Sequence, residues 1–419
     1  MSLIELLVAV IVGVVVSLAI YTVLVSAEGR KRTTTSVNDI NQGGSYVQYI
    51  LDRWLRSAGS GFASGVTMNG SSTVYPYGCK LYAANSSAGQ LLPAANQLPA
   101  PFASISQTFR LTPVLIIPNG TTPGVSGQPS DVLVIMAGSA GASEMATAFS
   151  GFPTANTAEL LNTVDFSAND LVLLSEIQPQ ASSSSTASAN YVLPCMVQQV
   201  QSNGSGSTTL SLGGSYAAAT IASRNMIDMS DQGGAFNLGN ISAGRAPNFL
   251  VIGVGANNTL FSYDLLQTTA SPKQAIADGV FEIHARYGLA SGGAGTAVNT
   301  WIAPDTTTSS YSYSSLSGGT TAATNTLRQI RAVRVGIIMR TSLPERTASS
   351  AGGSAYVAPA SLTLFSDLEA AGNSTCSDSA QNGSVLTSTG ALRYTRCLGT
   401  SERNYRYRVL DFTVPLRNL

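Results

Sequence analysis

The stretch LLVAVIVGVVVSLAIYTVLVSA, Leu6 to Ala27, constrains this chain more than any other. Its 22 residues carry no charge, and as a helix rising about 1.5 Å per residue they would reach across roughly 33 Å, the thickness of a bilayer's hydrocarbon. A helix apolar on every side has to be surrounded by lipid or by protein. Glu5, at the edge of the run, is out of keeping with both, because a carboxylate at mid-membrane costs about 3 kcal/mol by insertion scales.

Three readings of this amino terminus compete. A secretory signal peptide has a basic start, a shorter apolar core and a small-residue cleavage site, whereas the run here is too long and leads into more helix. A plain signal anchor explains the length but leaves Glu5 without a purpose. In the third reading Met1 is a new amino terminus made by proteolysis. Its amine in one subunit meets Glu5 of a neighbour about one axial step away in a helical stack, so each charge neutralises the other and the pair sets the register. The basic triplet Arg30, Lys31 and Arg32 argues for a cytoplasmic body by the positive-inside rule. A Ser/Thr-rich body with dispersed cysteines suits an oxidising exterior instead.

The helical pattern continues but becomes one-sided. Val37, Ile40, Gly44, Val47, Leu51 and Trp54 recur at spacings of three and four, Ile50 and Leu55 widen the stripe, and Asn38, Asp39, Gln42 and Arg53 lie off it. Gly43 and Gly44 are a weak point in this half. Gly59, Gly61 and Gly65 then end the helix. Residues 1–57 therefore read as one helix, apolar over 1–27 and amphipathic over 28–57, and residues 58–419 as a head with room for two lobes.

In the head, short apolar or alternating runs bounded by Gly, Asn, Pro and Ser predict strands: TFRLTPVLII, SDVLVIMAG, NDLVLLSE, YVLPCMVQQV and TTLSLGG. NFLVIGVGANNTLFSYDLL predicts a hairpin turning at Gly255 to Asn258. In GVFEIHARYGL, Phe281, Ile283, Ala285 and Tyr287 alternate with Glu282, His284 and Arg286, which puts the only histidine on a polar, surface-pairing face. In YRYRVLDFTVPLRNL the alternation changes phase between Val409 and Leu410, the mark of a β-bulge. QPQASSSSTASAN and PDTTTSSYSYSSLSGGTTAATN read as exposed loops. The expected fold is α+β: a long amino-terminal helix packed on a large, mostly antiparallel β-sheet head.

Cys79, Cys195, Cys376 and Cys397 leave three connectivities. Cys376 with Cys397 and Cys79 with Cys195 is the favoured set, against buried free thiols. With one histidine and no Cys-x-x-Cys a zinc site is not expected, and DMSDQGG lacks the Glu that closes a calcium loop. There is no Gly-x-Ser-x-Gly elbow, Walker A loop or dinucleotide fingerprint, so neither catalysis nor a cofactor is expected. Lys and Arg balance Asp and Glu at 22 each, which excludes a global field for nucleic acid or an anionic membrane. Eleven of the basic residues lie between Leu327 and Leu419. Arg331, Arg334, Arg406 and Arg408 among them are read as cross-strand or intersubunit partners, in preference to a DNA-binding patch.

MSLIELLVA resembles the amino-terminal signature of mature type IV pilins, which carry Glu at the fifth position. SDVLVIMAG, NDLVLLSE, IADGVFEIHARYGL, IRAVRVGIIMRTS and YRYRVLDFTVPLRNL resemble, in order, segments of PilW-type pilus assembly proteins, the large minor pilins. This resemblance implies a prepilin peptidase that exposes and N-methylates Met1, and residence in the inner membrane before assembly. It also implies an extracellular filament, a pilus or fimbrium on a bacterial surface, built by the pilus assembly machinery from copies of this chain and related pilins. Two departures matter: the acidic, glycine-rich loop often found after YGL is ASGGAG here, so no metal is carried over, and the proline common near position 22 is Thr22, leaving Gly13 as the weak point. The expected function is a structural filament subunit that polymerises through its helix, as a shaft subunit in preference to a minor pilin priming assembly at the tip. The alternative is a membrane-tethered adhesin or binding module, to which Glu5 would contribute nothing.

Overall fold

The computed structural model describes residues 3–68, 72–122, 129–141, 146–177, 193–203, 207–290, 297–304, 309–345, 356–368, 376 and 392–416, and the structural statements that follow concern these. α1 (Leu3–Ser57) is one continuous helix. At Thr22, which stands where many pilins have a proline, the hydroxyl donates to the Ala19 carbonyl at 2.8 Å and the helix runs on. It stops where Gly59 and Gly61 take left-handed backbones, with φ of 81° and 86°, a conformation that side chains disfavour and that ends helices.

The strands follow in chain order. β1 (Val66–Met68) and β2 (Ser72–Val74) form a small hairpin. β3 (Lys80–Asn85) and β4 (Gly89–Leu92) open the largest sheet, β5 (Val114–Thr121) and β6 (Ser130–Ala137) a second one. β7 (Thr147–Ala148), β8 (Thr157–Glu159), β9 (Asp170–Glu176), β10 (Pro194–Asn203), β11 (Thr209–Leu212) and β14 (Gly233–Asn240) return to the first, with the hairpin β12 (Thr220–Ile221) and β13 (Arg224–Asn225) between them. β15 (Asn248–Gly255), β16 (Thr259–Asp264) and β17 (Lys273–Ala277) complete the second sheet, in the order β17-β16-β15-β6-β5. A third sheet, β19-β18-β20-β23, joins β18 (Val280–Leu289), β19 (Thr300–Ile302), β20 (Ile330–Arg340) and β23 (Tyr407–Pro415). β21 (Ser361–Leu364) and β22 (Tyr394–Cys397) pair as a hairpin of their own. The pairing is antiparallel except for β3 beside β10. The fold is thus the expected α+β arrangement.

The second and third sheets are stitched by side chains acting as ladder groups. Ser130 Oγ accepts from the Ile283 amide at 2.8 Å and donates to its carbonyl at 3.0 Å. Asp131 Oδ2 accepts from the Ala285 amide at 3.0 Å, and the Tyr287 hydroxyl accepts from the Ile116 amide at 2.6 Å. Buried backbone groups at a strand edge need partners, and these three residues supply them where no strand does. One apolar core runs through this seam, from Leu133, Ile135 and Ile252 to Ile283, Val335 and Ile337, and on to Val47, Leu51 and Leu55 of α1.

Three local expectations are corrected. His284 is 4% exposed, and every residue of β18 is buried, because β21 and β22 cover the face that the alternation assigned to solvent. The bulge lies in β18, not β23: the register shifts between Val280 and Glu282, which turns Phe281 away from Ile283 and onto the β21–β22 side. β23 pairs with β20 without a shift. Its change of phase arises because Tyr407 meets Phe281 on one face while Leu410 and Val414 join the main core on the other. Finally, part of the second low-complexity stretch is helical, α2 (Tyr313–Leu316) and α3 (Thr321–Leu327), with Ser312 and Thr320 accepting N-cap hydrogen bonds and Leu316 fully buried. The first stretch, from Gln178 on, lies outside the described residues.

Candidate functional site

Two halves of α1 are held differently. From Leu3 to Leu24 its large apolar side chains are exposed, from 50% at Val16 to 82% at Leu3, and no described residue before Ile40 is buried. This is the one helix, among the described residues, long and apolar enough to cross a membrane. Glu5 stands in its first turn; Met1 lies outside the described residues. An apolar surface of this size is unstable in water and marks a place where lipid or other chains belong.

The second half is clamped to the head. The Thr33 hydroxyl donates to Glu345 at 2.9 Å, and Arg408 donates to the Asn41 carbonyl at 3.2 Å and to its side-chain oxygen at 2.8 Å. Gly44 lies so close to β23 that a Cβ there would come within 2.8 Å of Leu410. The glycine pair read as a weak point is therefore also what lets helix and sheet approach. Arg30, Lys31 and Arg32 lie between the two halves and are exposed, which makes a basic collar at the boundary between bare and clamped helix.

Other residues singled out from the sequence are part of the head. Cys79 is bonded to Cys195, and Cys376 to Cys397, each with Cα atoms 5.6 Å apart. The first bond joins the loop before β3 to β10 and the second anchors the chain before β22. Arg334 reaches Asp411 on β23 and Asp367, each at 2.6 Å, which pushes its own pKa up and holds Asp367 below the usual carboxylate range. Arg406 pairs with Glu345 at 2.7 Å. Three of the four arginines weighed as a basic patch are thus engaged with α1, Glu345 or the Asp pair.

Sequence reasoning missed a buried charge cluster around His284. Asp131, Glu282, Arg286, Tyr394, Arg396 and Glu402 meet there, all buried. Their partners come from strands more than a hundred residues apart, so no local pattern reveals them. Arg396, fully buried, lies 3.0 Å from Glu282 and 2.8 Å from Glu402.

No curated protein and no solved structure matches the chain. Residues 249–418, from β15 through β23 and so the part of the head that clamps α1, match the family model of the type IV pilus-assembly protein W, PilW.

Proposed function

We propose that this chain is a structural subunit of a type IV pilus-like filament, polymerising through the first half of α1 with copies of itself and related pilins. The observation that carries the reading is the division of α1: a bare apolar half with Glu5 in its first turn, continuous with a half clamped to a head whose residues 249–418 match the PilW family model. Residues 1–27 serve as membrane anchor before assembly and filament core afterwards, residues 28–57 as the stem of the head, and 58–419 as the extracellular, non-catalytic body. In this reading a prepilin peptidase generates and N-methylates Met1, whose amine pairs with Glu5 of a neighbour. A second reading, a minor pilin that primes assembly at the tip, is favoured by the match to a pilus-assembly protein.

Glu5→Gln tests these against a tether. Head folding and membrane insertion do not need the carboxylate, and removing it makes the monomer cheaper to hold in lipid. Assembly would bury a neighbour's ammonium without its counter-ion. A shaft subunit carrying Glu5→Gln is expected to abolish or greatly shorten filaments, and a tip subunit to reduce their number at normal length. Filament counts and lengths by electron microscopy, at matched membrane levels, decide; unchanged counts and lengths would refute an assembly role and leave the tether.

A further inference from the structure

His284 is the only histidine in the chain, and it is buried where three parts of the head meet. Its Nδ1 lies 3.6 Å from Asp131 Oδ2 on β6, and its Nε2 lies 3.6 Å from Glu282 Oε2 on its own strand, β18. The Tyr394 ring of β22 stacks on the imidazole with centroids 3.7 Å apart, while the Tyr394 hydroxyl donates to Glu282 Oε2 at 2.7 Å. Arg396, two residues on, ties Glu282 to Glu402. Arg286 of β18 donates to the Leu392 carbonyl at 2.9 Å, just before β22. On the neighbouring strand, β20 presents Gly336, without a side chain, opposite His284, and Arg334, two residues before it, is paired with Asp411.

Three carboxylates, Asp131, Glu282 and Glu402, thus face two guanidinium groups, Arg286 and Arg396. A protonated imidazole makes the cluster neutral, and a neutral one leaves a net negative charge out of water, which is costly. We propose that His284 is a proton-operated clasp: as an imidazolium it holds the disulfide-anchored β21–β22 hairpin against β18, and when it loses its proton the hairpin lifts and uncovers Phe281 and Ile338.

The direction follows from the surroundings. Burial pulls the imidazole pKa down, but the Asp131 and Glu282 carboxylates outweigh it and hold the value above the ordinary one. A group whose folded pKa is raised contributes fully below the ordinary imidazole value, about 6.5, and its contribution is lost as pH rises through the folded value. The clasp is therefore closed below the ordinary imidazole value and opens as pH rises through the folded one. Burial and then Glu282 push the Tyr394 phenol far up, so it stays a neutral donor throughout this range.

The test is NMR of the full chain, ¹⁵N-labelled in detergent micelles, where the single histidine gives unambiguous ring signals. The ring is expected to titrate with a midpoint above the ordinary imidazole value of about 6.5. Hydrogen-exchange protection at Tyr394–Cys397, corrected for intrinsic rates, should hold steady below about pH 6.5, fall by up to tenfold per pH unit above it, and level off once the ring is neutral, as linkage to one proton requires. Protection in β15 should not follow. His284→Gln should leave β22 poorly protected at every pH from 6 to 9. If that variant fails to fold, Glu282→Gln removes one counter-ion, and the ring's midpoint and the fall in β22 protection should both move to lower pH together. A ring midpoint at or below the ordinary imidazole value, or β22 protection that ignores the ring's charge in the wild type or in Glu282→Gln, overturns the proposal.

Discussion

Arg396 shows at the scale of one residue what the head depends on. Its guanidinium is fully buried between Glu282 and Glu402 and lies 5.5 Å from the centroid of the Phe281 ring. A buried ion pair is weak evidence of net stabilisation, yet removing one partner strands the other in the interior. Arg396→Met fills similar space but leaves two buried carboxylates without their cation, and it is expected to cost about 3 to 5 kcal/mol in urea unfolding. A loss below about 1 kcal/mol would show that water reaches the cluster. The same surroundings set the acid side: burial pushes the Asp131 pKa up, but His284 and Arg286 outweigh it and the net value is depressed. Its contribution is therefore present above the ordinary carboxylate range and lost as pH falls through the depressed value. In the sequence, Glu282, His284 and Arg286 were legible as one face of a strand. That this face is buried was not, because its cover, Tyr394 and Arg396, arrives over a hundred residues later through a hairpin whose composition suggests only a loop-rich surface.

Among the elements, α1 was the most legible and β18 the least. The three- and four-residue spacing of Ile40, Val47, Leu51 and Leu55 needs only the helical period to be read, and all four are buried. Gly43 and Gly44 misled, because helix propensity treats a glycine as a local cost and says nothing of what lies opposite. At Gly44 the opposing atoms are Leu410 and Met339, so the missing side chain is what lets α1 sit on β20 and β23. Gly44→Val should push α1 off this contact, costing about 1 to 3 kcal/mol as overpacking does and raising hydrogen exchange in the helix after residue 40. Gly13, with no atom within 4 Å of a Cβ there, is the control: the same substitution in the bare half should leave head stability unchanged. β18 escaped because one extra residue at Phe281 reverses the inward side of everything before it, and a bulge leaves no mark in a run of residues that are all apolar or all buried.

For the whole molecule, the consequence is that the apolar segment and the head share a helix but not a core. The contacts that hold α1 to the head begin at Thr33 with Glu345 and continue through Asn41 with Arg408 to Leu55. Among the described residues, none before Ile40 is buried. Deleting residues 1–27 therefore removes no core side chain and breaks none of the clamp, while it removes the surface that demands lipid or neighbouring helices. The shortened chain is expected to unfold cooperatively with its stability within about 0.5 kcal/mol of the full chain's, the range of changes that touch no packed contact. It should also remain monomeric in water without detergent, where the full chain needs lipid, detergent or its neighbours. It should enter no filament. Urea unfolding together with sedimentation of the two forms checks this, and a shortened chain that loses cooperative unfolding would show that the head depends on the apolar segment, against a division of labour along α1.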